Sequence, residues 1–281
     1  MSEQRINKLN NSPLGQKSAY ISEYDPSLIF PIERSTNRST IGIQTNELPF
    51  KGFDIWNSYE MSWLNIKGKP IIATCRFIIP CNSEYIIESK SFKLYLNSFN
   101  QTKFNSHEDV KSLLQHDLSK GASAKVVVQL YNEKDILGMK LECPKGICID
   151  NIDSDFEQYS VNSDFLSSVN DDNIIEETVY SNLLKTNCPV TGQPDWGSVE
   201  ITYKGVKIDY EGLLKYIVSF RNHNDFHEHC TERIFCDIMN VLKPLELTVC
   251  ARYTRRGGLD INPYRSTKNL SIPEIKRLFR Q

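Results

Sequence analysis

Cys188 lies in Thr186-Asn187-Cys188-Pro189-Val190-Thr191-Gly192-Gln193-Pro194-Asp195-Trp196-Gly197, a loop stiffened by two prolines ahead of a run that reads as a strand. A thiol held by restricted backbone, and partly open, suits a reactive cysteine. Asp195 stands seven residues on, close enough for the loop to return it to the sulfur. A structural cysteine packed under a turn has the same local sequence, so spacing leaves both readings open. The segment Arg221-Asn222-His223-Asn224-Asp225-Phe226-His227-Glu228-His229-Cys230 holds three of the chain's five histidines. Polar side chains that dense are costly to bury without partners or a function. Capping of the following helix by Asn224 or Asp225 is one structural role. Zinc held by His227, His229 and Cys230 or Cys236 is another reading, opposed by the divergence of residues two apart on a helix.

Arg252-Tyr253-Thr254-Arg255-Arg256-Gly257-Gly258 pairs arginines with glycines, which lets cation and backbone N–H approach one phosphate; a basic β-turn is the plainer reading. The chain has no GxGxxG, so the motif of a Rossmann nucleotide site is missing. Glu88 and Glu228 stand out by position. A carboxylate accepts two parallel N–H donors, as the N1–H and 2-amino edge of a guanine-like base would offer. A surface glutamate is the alternative for either one alone.

The elements that must position these residues occur twice. Glu88-Ser-Lys-Ser-Phe-Lys-Leu-Tyr-Leu-Asn-Ser-Phe99 overlays Asp209-Tyr-Glu-Gly-Leu-Leu-Lys-Tyr-Ile-Val-Ser-Phe220 at an offset of 121, matching Tyr95/Tyr216, Ser98/Ser219 and Phe99/Phe220. With one residue of slack, His107-Glu108 falls on His227-Glu228. Lys69–Ile79 and Ser198–Tyr203 read as strands. Val110, Leu113, Leu114 and Leu118, after the cap candidate Ser106, have helical spacing, as do Ile234, Ile238, Met239 and Leu242. The β-branched runs Val126–Tyr131 and Leu247–Tyr253 follow. The expectation is a duplicated α+β unit with segregated helices. The division falls near the acidic stretch from about Asp150 to Asn173, which reads as a linker or surface excursion: residues 1–155 form one unit and 156–281 the other. The N-terminal part contains the breakers Ser12-Pro13-Leu14-Gly15 and Tyr24-Asp25-Pro26.

Composition bounds the rest. At 281 residues the chain has room for two domains. A net charge of −2 gives no global basic field for nucleic acid. From Gly146 to Leu184 there is no Lys or Arg, whereas eight bases from Arg252 onward face only Asp260 and Glu274. That basic tail is a solvated face or an anion site. No apolar run approaches the ~20 residues that span a bilayer, and the polar N-terminus lacks a signal-peptide pattern. The expected location is the cytoplasm, with all eight cysteines reduced. Cys143 and Cys148, in a Pro-Gly loop, are either spectators or partners in oxidation.

Glu88-Ser-Lys-Ser-Phe-Lys-Leu-Tyr95 resembles the signature octapeptide of the nitrile reductases of queuosine biosynthesis, the NADPH-dependent 7-cyano-7-deazaguanine reductases. The Cys188…Asp195-Trp196-Gly197 loop, Phe226-His227-Glu228, Arg255-Arg256-Gly257-Gly258, Tyr24-Asp-Pro-Ser-Leu28 and Asp54-Ile-Trp-Asn57 are similar to the same family, in order. The resemblance spans nearly the whole chain and points to the long subfamily. It implies tandem tunnelling-fold units, with antiparallel sheets and helices packed on one face, and a single site formed between them. It implies that Cys188 attacks the nitrile carbon to give a covalent thioimide and that Asp195 donates a proton to nitrogen, needing a raised pKa that burial beside Trp196 would supply. Ile87, Glu88, Ser89, His227 and Glu228 would bind the deazapurine, with Phe226 stacking on the base. Ser89, Lys90, Arg256 and Gly257 would hold NADPH, two of which are consumed per turnover, with no metal. The implied assembly is at least a homodimer with no direct nucleic-acid or membrane partner.

Three other classes remain open at this point. A cysteine hydrolase or acyl transferase would use Cys188 with His227 as base and need no NADPH. A non-catalytic purine- or pterin-binding protein would tolerate loss of Cys188. A zinc-dependent cyclohydrolase relative would carry metal.

Overall fold

The computed structural model describes residues 20–44, 47–137, 141–169 and 173–281. The breakers Ser12–Gly15, and Asp171 and Asp172 of the acidic stretch, lie outside them. The chain divides into two compact units: Met1–Thr45, Phe53–Met139 and Arg255–Asp260 form the first, and Asn46–Gly52, Lys140–Thr254 and Ile261–Gln281 the second. Each is an α+β unit built on an antiparallel sheet.

In the first unit, β1 (Lys51–Asn65) pairs with β2 (Pro70–Pro80) from Phe53 opposite Pro80 to Leu64 opposite Pro70. Their turn closes where Asn65 Oδ1 accepts the Lys67 and Lys69 N–H groups at 2.9 and 3.0 Å, with Gly68 at φ +83°. Helices α1 (Ser89–Asn97) and α2 (His107–Ala122) follow, and then β3 (Val127–Tyr131), which pairs with the other edge of β2. Val110, Leu114, Leu118 and Ala122 make one fully buried stripe on α2, with Leu113 at its margin, as the spacing predicts. Ser106 caps that helix, its Oγ accepting the Asp109 N–H at 3.1 Å. Trp56, Phe77 and Phe92 pack edge to face at the centre, with Phe92 4.9 Å from Phe77 and 5.2 Å from Trp56. Burying each such ring contributes about 1.5–3 kcal/mol.

In the second unit, β4 (Ile174–Asn187) pairs with β5 (Pro194–Val206) and β5 with β6 (Glu246–Tyr253), all antiparallel. Residues Thr248–Cys250 of β6 pair in turn with Tyr264–Ser266 of β7 (Leu259–Ser266). Along β5 burial alternates: Val199, Ile201 and Tyr203 are buried, whereas Glu200, Thr202 and Lys204 are not. That period of two is the mark of a sheet covered on one face. Helices α3 (Tyr210–Ser219) and α4 (His227–Leu242) supply the apolar groups, among them Leu213, Leu214, Ile234 and Ile238. Much of the acidic stretch is irregular, and Asp150 pins its start by accepting from Ser181 Oγ at 2.6 Å and from Asn182 Nδ2 at 2.9 Å.

The sequence repeat is a structural repeat. Glu88 and Asp209 are both N-caps, accepting backbone N–H groups of α1 and α3. Tyr95 donates its hydroxyl to Asp117 at 2.6 Å, and Tyr216 donates to Asp237 at 2.7 Å. Ser98 and Ser219 each donate to a carbonyl three residues back at 2.6 Å. Phe99 meets Tyr95, and Phe220 meets Tyr216, edge to face at 5.3 Å. Helices α2 and α4 both end in a left-handed non-glycine residue, Ser123 at φ +53° and Lys243 at φ +48°.

Candidate active site

Cys188 follows the last residue of β4, and Asp195 is the second residue of β5. Asp195 lies opposite Thr186, and Pro194 opposite Asn187. The ladder continues one step further, with the Cys188 N–H donating to Gln193 O at 2.8 Å, before Gly192, at φ +66°, turns the chain. Side chains alternate along a strand and opposed residues share a face, so Thr186, Cys188 and Asp195 lie on one face and Lys185, Asn187 and Trp196 on the other. Burial follows the same division: the first three are 0%, 4% and 3% exposed, and the second three are all more open.

Trp196 is therefore not the group that buries Asp195, contrary to the sequence expectation. Its indole lies under two guanidiniums, Arg221 at 5.7 Å and Arg280 at 5.4 Å. Asp195 is closed in by His227, whose Nε2 is 3.4 Å from Asp195 Oδ2. The His227 ring stacks flat on Tyr253, with centroids 3.8 Å and planes 10° apart. Its Nδ1 is buried and has no hydrogen-bond partner among the described residues. Burial, with the Asp195 charge adding to it, holds the Tyr253 phenol far above its ordinary pKa. Burial, then the charges of Asp225 and Asp195, does the same to the Cys230 thiol, so both groups stay protonated beside Asp195.

Glu228 is buried with His227 in the first turn of α4. That helix starts from Phe226, which makes no side-chain cap bond, and neither Asn224 nor Asp225 is its cap. Asp225 instead accepts the N–H of Phe226 at 2.8 Å and binds His229 through a short contact to Nδ1. His227 and His229 thus turn to different carboxylates. Among the described residues no group of three or more His, Cys, Asp or Glu is arranged to hold a metal ion.

Ile87, Glu88, Ser89, Lys90, Arg256 and Gly257 belong to the first unit. Ile87 ends a short strand paired with Pro31–Glu33, and its side chain is in the core. Glu88 is 1% exposed, and its two oxygens accept the Lys90 and Ser91 N–H groups, each at 2.7 Å. Burial raises its carboxyl pKa while those N–H groups pull it down. Sequence reasoning did not find this capping role, although the alignment of Glu88 with Asp209 at a helix start was a signal for it. Ser89 and Lys90 form the first turn of α1.

Arg256 and Leu259 close a two-residue turn, in which Gly257 and Gly258 sit at φ +57° and +79°. Positive φ at both central positions is the pattern of a type I′ hairpin turn. A Cβ on Gly258 would fall 2.5 Å from Glu60 Cδ, whereas the nearest atom to one on Gly257 is Lys93 Cγ at 3.7 Å. The Tyr59 N–H donates to Gly258 O at 3.1 Å, and Asp260 accepts from Asn57 and Tyr59, both at 2.7 Å. Arg256 and Gly257 are thereby held against α1, one turn beyond Lys90. A basic, glycine-opened turn beside a lysine fits an anionic dinucleotide. With the α1 N–H groups already bonded to Glu88, side-chain cations would face the phosphates.

A model described as nitrile reductase, 7-cyano-7-deazaguanine-reductase N-term, matches residues 20–130, and one described as QueF-like protein matches residues 194–271. The crystal structure of the archaeosine synthase QueF-Like in the apo form aligns with a TM-score of 0.30 and 15% identity over 35% of this chain and 96% of that one, too little to bear on the fold. The chain is 54% identical to a protein of Cupriavidus metallidurans and to one of Cupriavidus necator, in each case over 96% of this chain and 98% of the relative. It is 52% identical to one of Burkholderia multivorans over the same shares. This chain belongs to the nitrile reductase family. The three relatives carry one name, NADPH-dependent 7-cyano-7-deazaguanine reductase.

Proposed function

We propose that this chain is an oxidoreductase that reduces the nitrile of 7-cyano-7-deazaguanine to the primary amine 7-aminomethyl-7-deazaguanine, for the queuosine pathway. The observation that carries the reading is the pairing of a buried thiol, Cys188, with a buried carboxylate, Asp195, on one face of a hairpin, with His227 against the carboxylate. The relatives' shared name supports the substrate and the cofactor.

Cys188 sulfur adds to the nitrile carbon, forming a C–S bond as one π bond of the nitrile breaks. Asp195 gives a proton to the nitrogen as charge develops there, and the thiol's proton passes to the Asp195 carboxylate, leaving a neutral thioimide on Cys188 and Asp195 protonated again. Addition of sulfur converts a poor hydride acceptor into a polarised C=N bond. NADPH supplies hydride, and two are needed because a nitrile is two hydride reductions from a primary amine. Between the reductions, Cys188 leaves as thiolate and frees the imine; overall, two protons accompany the two hydrides.

His227 holds Asp195 in place and offers its unpartnered buried Nδ1 to the substrate. Glu88 and Glu228 accept the N–H edge of the base, with Ile87 and Ser89 beside them. Ser89, Lys90, Arg256 and Gly257 hold the cofactor. Phe226 covers the base.

The reading extends to architecture: two tandem tunnelling-fold units per chain, of which the first carries the Ser-Lys signature and the second Cys188 and Asp195, assembling as a homodimer. It also makes the substrate a free deazapurine and the location the cytoplasm. Eight free cysteines fit such a reducing compartment. Among the described residues no helix is long and apolar enough to cross a membrane.

The test is NADPH absorbance with purified protein and 7-cyano-7-deazaguanine. Loss approaching two NADPH per nitrile, falling by roughly 10³-fold or more in Cys188→Ala, is expected. Nitrile binding without NADPH loss would overturn reduction in favour of a binding protein.

A further inference from the structure

Asp225 has no part in the reaction above, yet it joins the two segments that carry it. Its backbone N–H donates to Asn187 O at 3.1 Å, and the Asn187 N–H donates to His223 O at 2.8 Å. Residues 223–225 therefore lie along the strand end immediately before Cys188. The Asp225 side chain is 2% exposed. One oxygen accepts the Phe226 N–H at 2.8 Å; the other binds His229 Nδ1, with His223 Nε2 3.6 Å away. His229 is itself buried, its side chain 5% exposed. Helix α4 has no side-chain cap bond from Phe226. Asp225 does a cap's work from one residue earlier, gripping the chain on its way in and a side chain in the first turn. His227 and Glu228 lie between those two grips.

We propose that Asp225, acting through His229, is a positioning residue that fixes His227 and Glu228 relative to Cys188 and so sets how the nitrile substrate is bound. The inference rests on the nitrile reductase reading. A displacement of about 1 Å at a reacting centre is enough to lose roughly 10²-fold. Residues that position one ligand should disturb that ligand and not the other. Asp225→Ala is expected to raise KM for the nitrile about 10–100-fold while KM for NADPH stays within about twofold. Asp225→Asn keeps an acceptor for Phe226 but turns a donor toward His229, so it should produce a smaller rise of the same kind. His229→Gln should resemble Asp225→Asn, and the double variant should be no worse than the weaker single, because both break one bond.

A merely structural role would lower kcat, or the active fraction, with both KM values unmoved and the two substitutions additive; that result would overturn the proposal. Amide hydrogen exchange supplies a readout that needs no turnover. In Asp225→Asn the first-turn amides of α4 should exchange about tenfold faster than in wild type, those of α2 unchanged. Unchanged protection in α4 would also overturn the proposal. A wild type that fails to reduce the nitrile would count against the functional reading instead, leaving the exchange result to decide the positioning role of Asp225.

Discussion

The two helix pairs share a scaffold and differ in its first turn. Tyr95 with Asp117 and Tyr216 with Asp237 make the same buried bond, and the serines, phenylalanines and left-handed helix ends coincide. At the start of α2, however, Ser106 caps the helix, His107 is exposed, and Glu108 forms a surface pair with Lys111 at 3.4 Å. His107 touches Trp63 only edge-on, at 5.0 Å. At the start of α4 the side-chain cap bond is gone, His227 and Glu228 are buried, and His227 lies flat on Tyr253. The ordinary arrangement is the stable one, since a serine cap is worth about 1 kcal/mol and a buried polar group without its partners costs about 1–3. Where one copy of a repeat gives up the cap and buries His227 Nδ1 with no hydrogen-bond partner among the described residues, that nitrogen is available for a ligand. The scaffold positions; the departure from it marks the site.

The same change made in both copies should separate them most. His227→Ala should reduce nitrile turnover by roughly 10²-fold, and His107→Ala should alter it less than about twofold, measured as nitrile-dependent NADPH loss. Equal effects would end the distinction between the copies. The scaffold half of the claim is tested by Tyr95→Phe and Tyr216→Phe. Each removes a hydroxyl bonded to a carboxylate and should cost about 1–3 kcal/mol in urea unfolding. A variant that costs nothing would show that the matching geometry does not carry matching energy.

The smallest effect concerns Glu88. Burial raises its folded pKa, so the folded chain binds that proton more tightly than the unfolded chain does. Its contribution to stability therefore declines as pH rises from the ordinary carboxylate range through the raised value, and is flat above it. Urea midpoints taken between about pH 4 and pH 7 should shift in favour of Glu88→Gln relative to wild type as pH rises. A shift the other way would contradict the sign.

Much of this was legible in residue order. The duplication showed in Tyr95/Tyr216, Ser98/Ser219 and Phe99/Phe220, because residues that bond locally within a turn leave a local imprint. The Cys188 loop showed because Pro189, Gly192 and Pro194 restrict its backbone. Two long strands did not show. β4 begins within an acidic run, where Glu176 and Glu177 mask the alternation of its buried residues, and β1 shows in residue order only through the Asp54–Asn57 motif. The seat of Asp195 does not follow from residue order, because neighbours in sequence are opposites on a strand: Trp196 is adjacent in order and on the far face. Tyr253 under His227 had no local signal at all, since the contact joins residues 26 apart on different elements. Asp225 and His229 stand four apart, the spacing of one helical turn, which is the sequence signal for their contact.

In the proposed reaction Cys188 becomes covalently bonded to the nitrile carbon. That bond is tested most directly by the intact mass of the protein mixed with 7-cyano-7-deazaguanine without NADPH, followed by peptide mapping. The expected result is a gain equal to one whole substrate molecule, confined to the peptide holding Cys188 and absent in Cys188→Ala. An unmodified mass under conditions where nitrile and NADPH are consumed together, or an adduct on another cysteine, would contradict it.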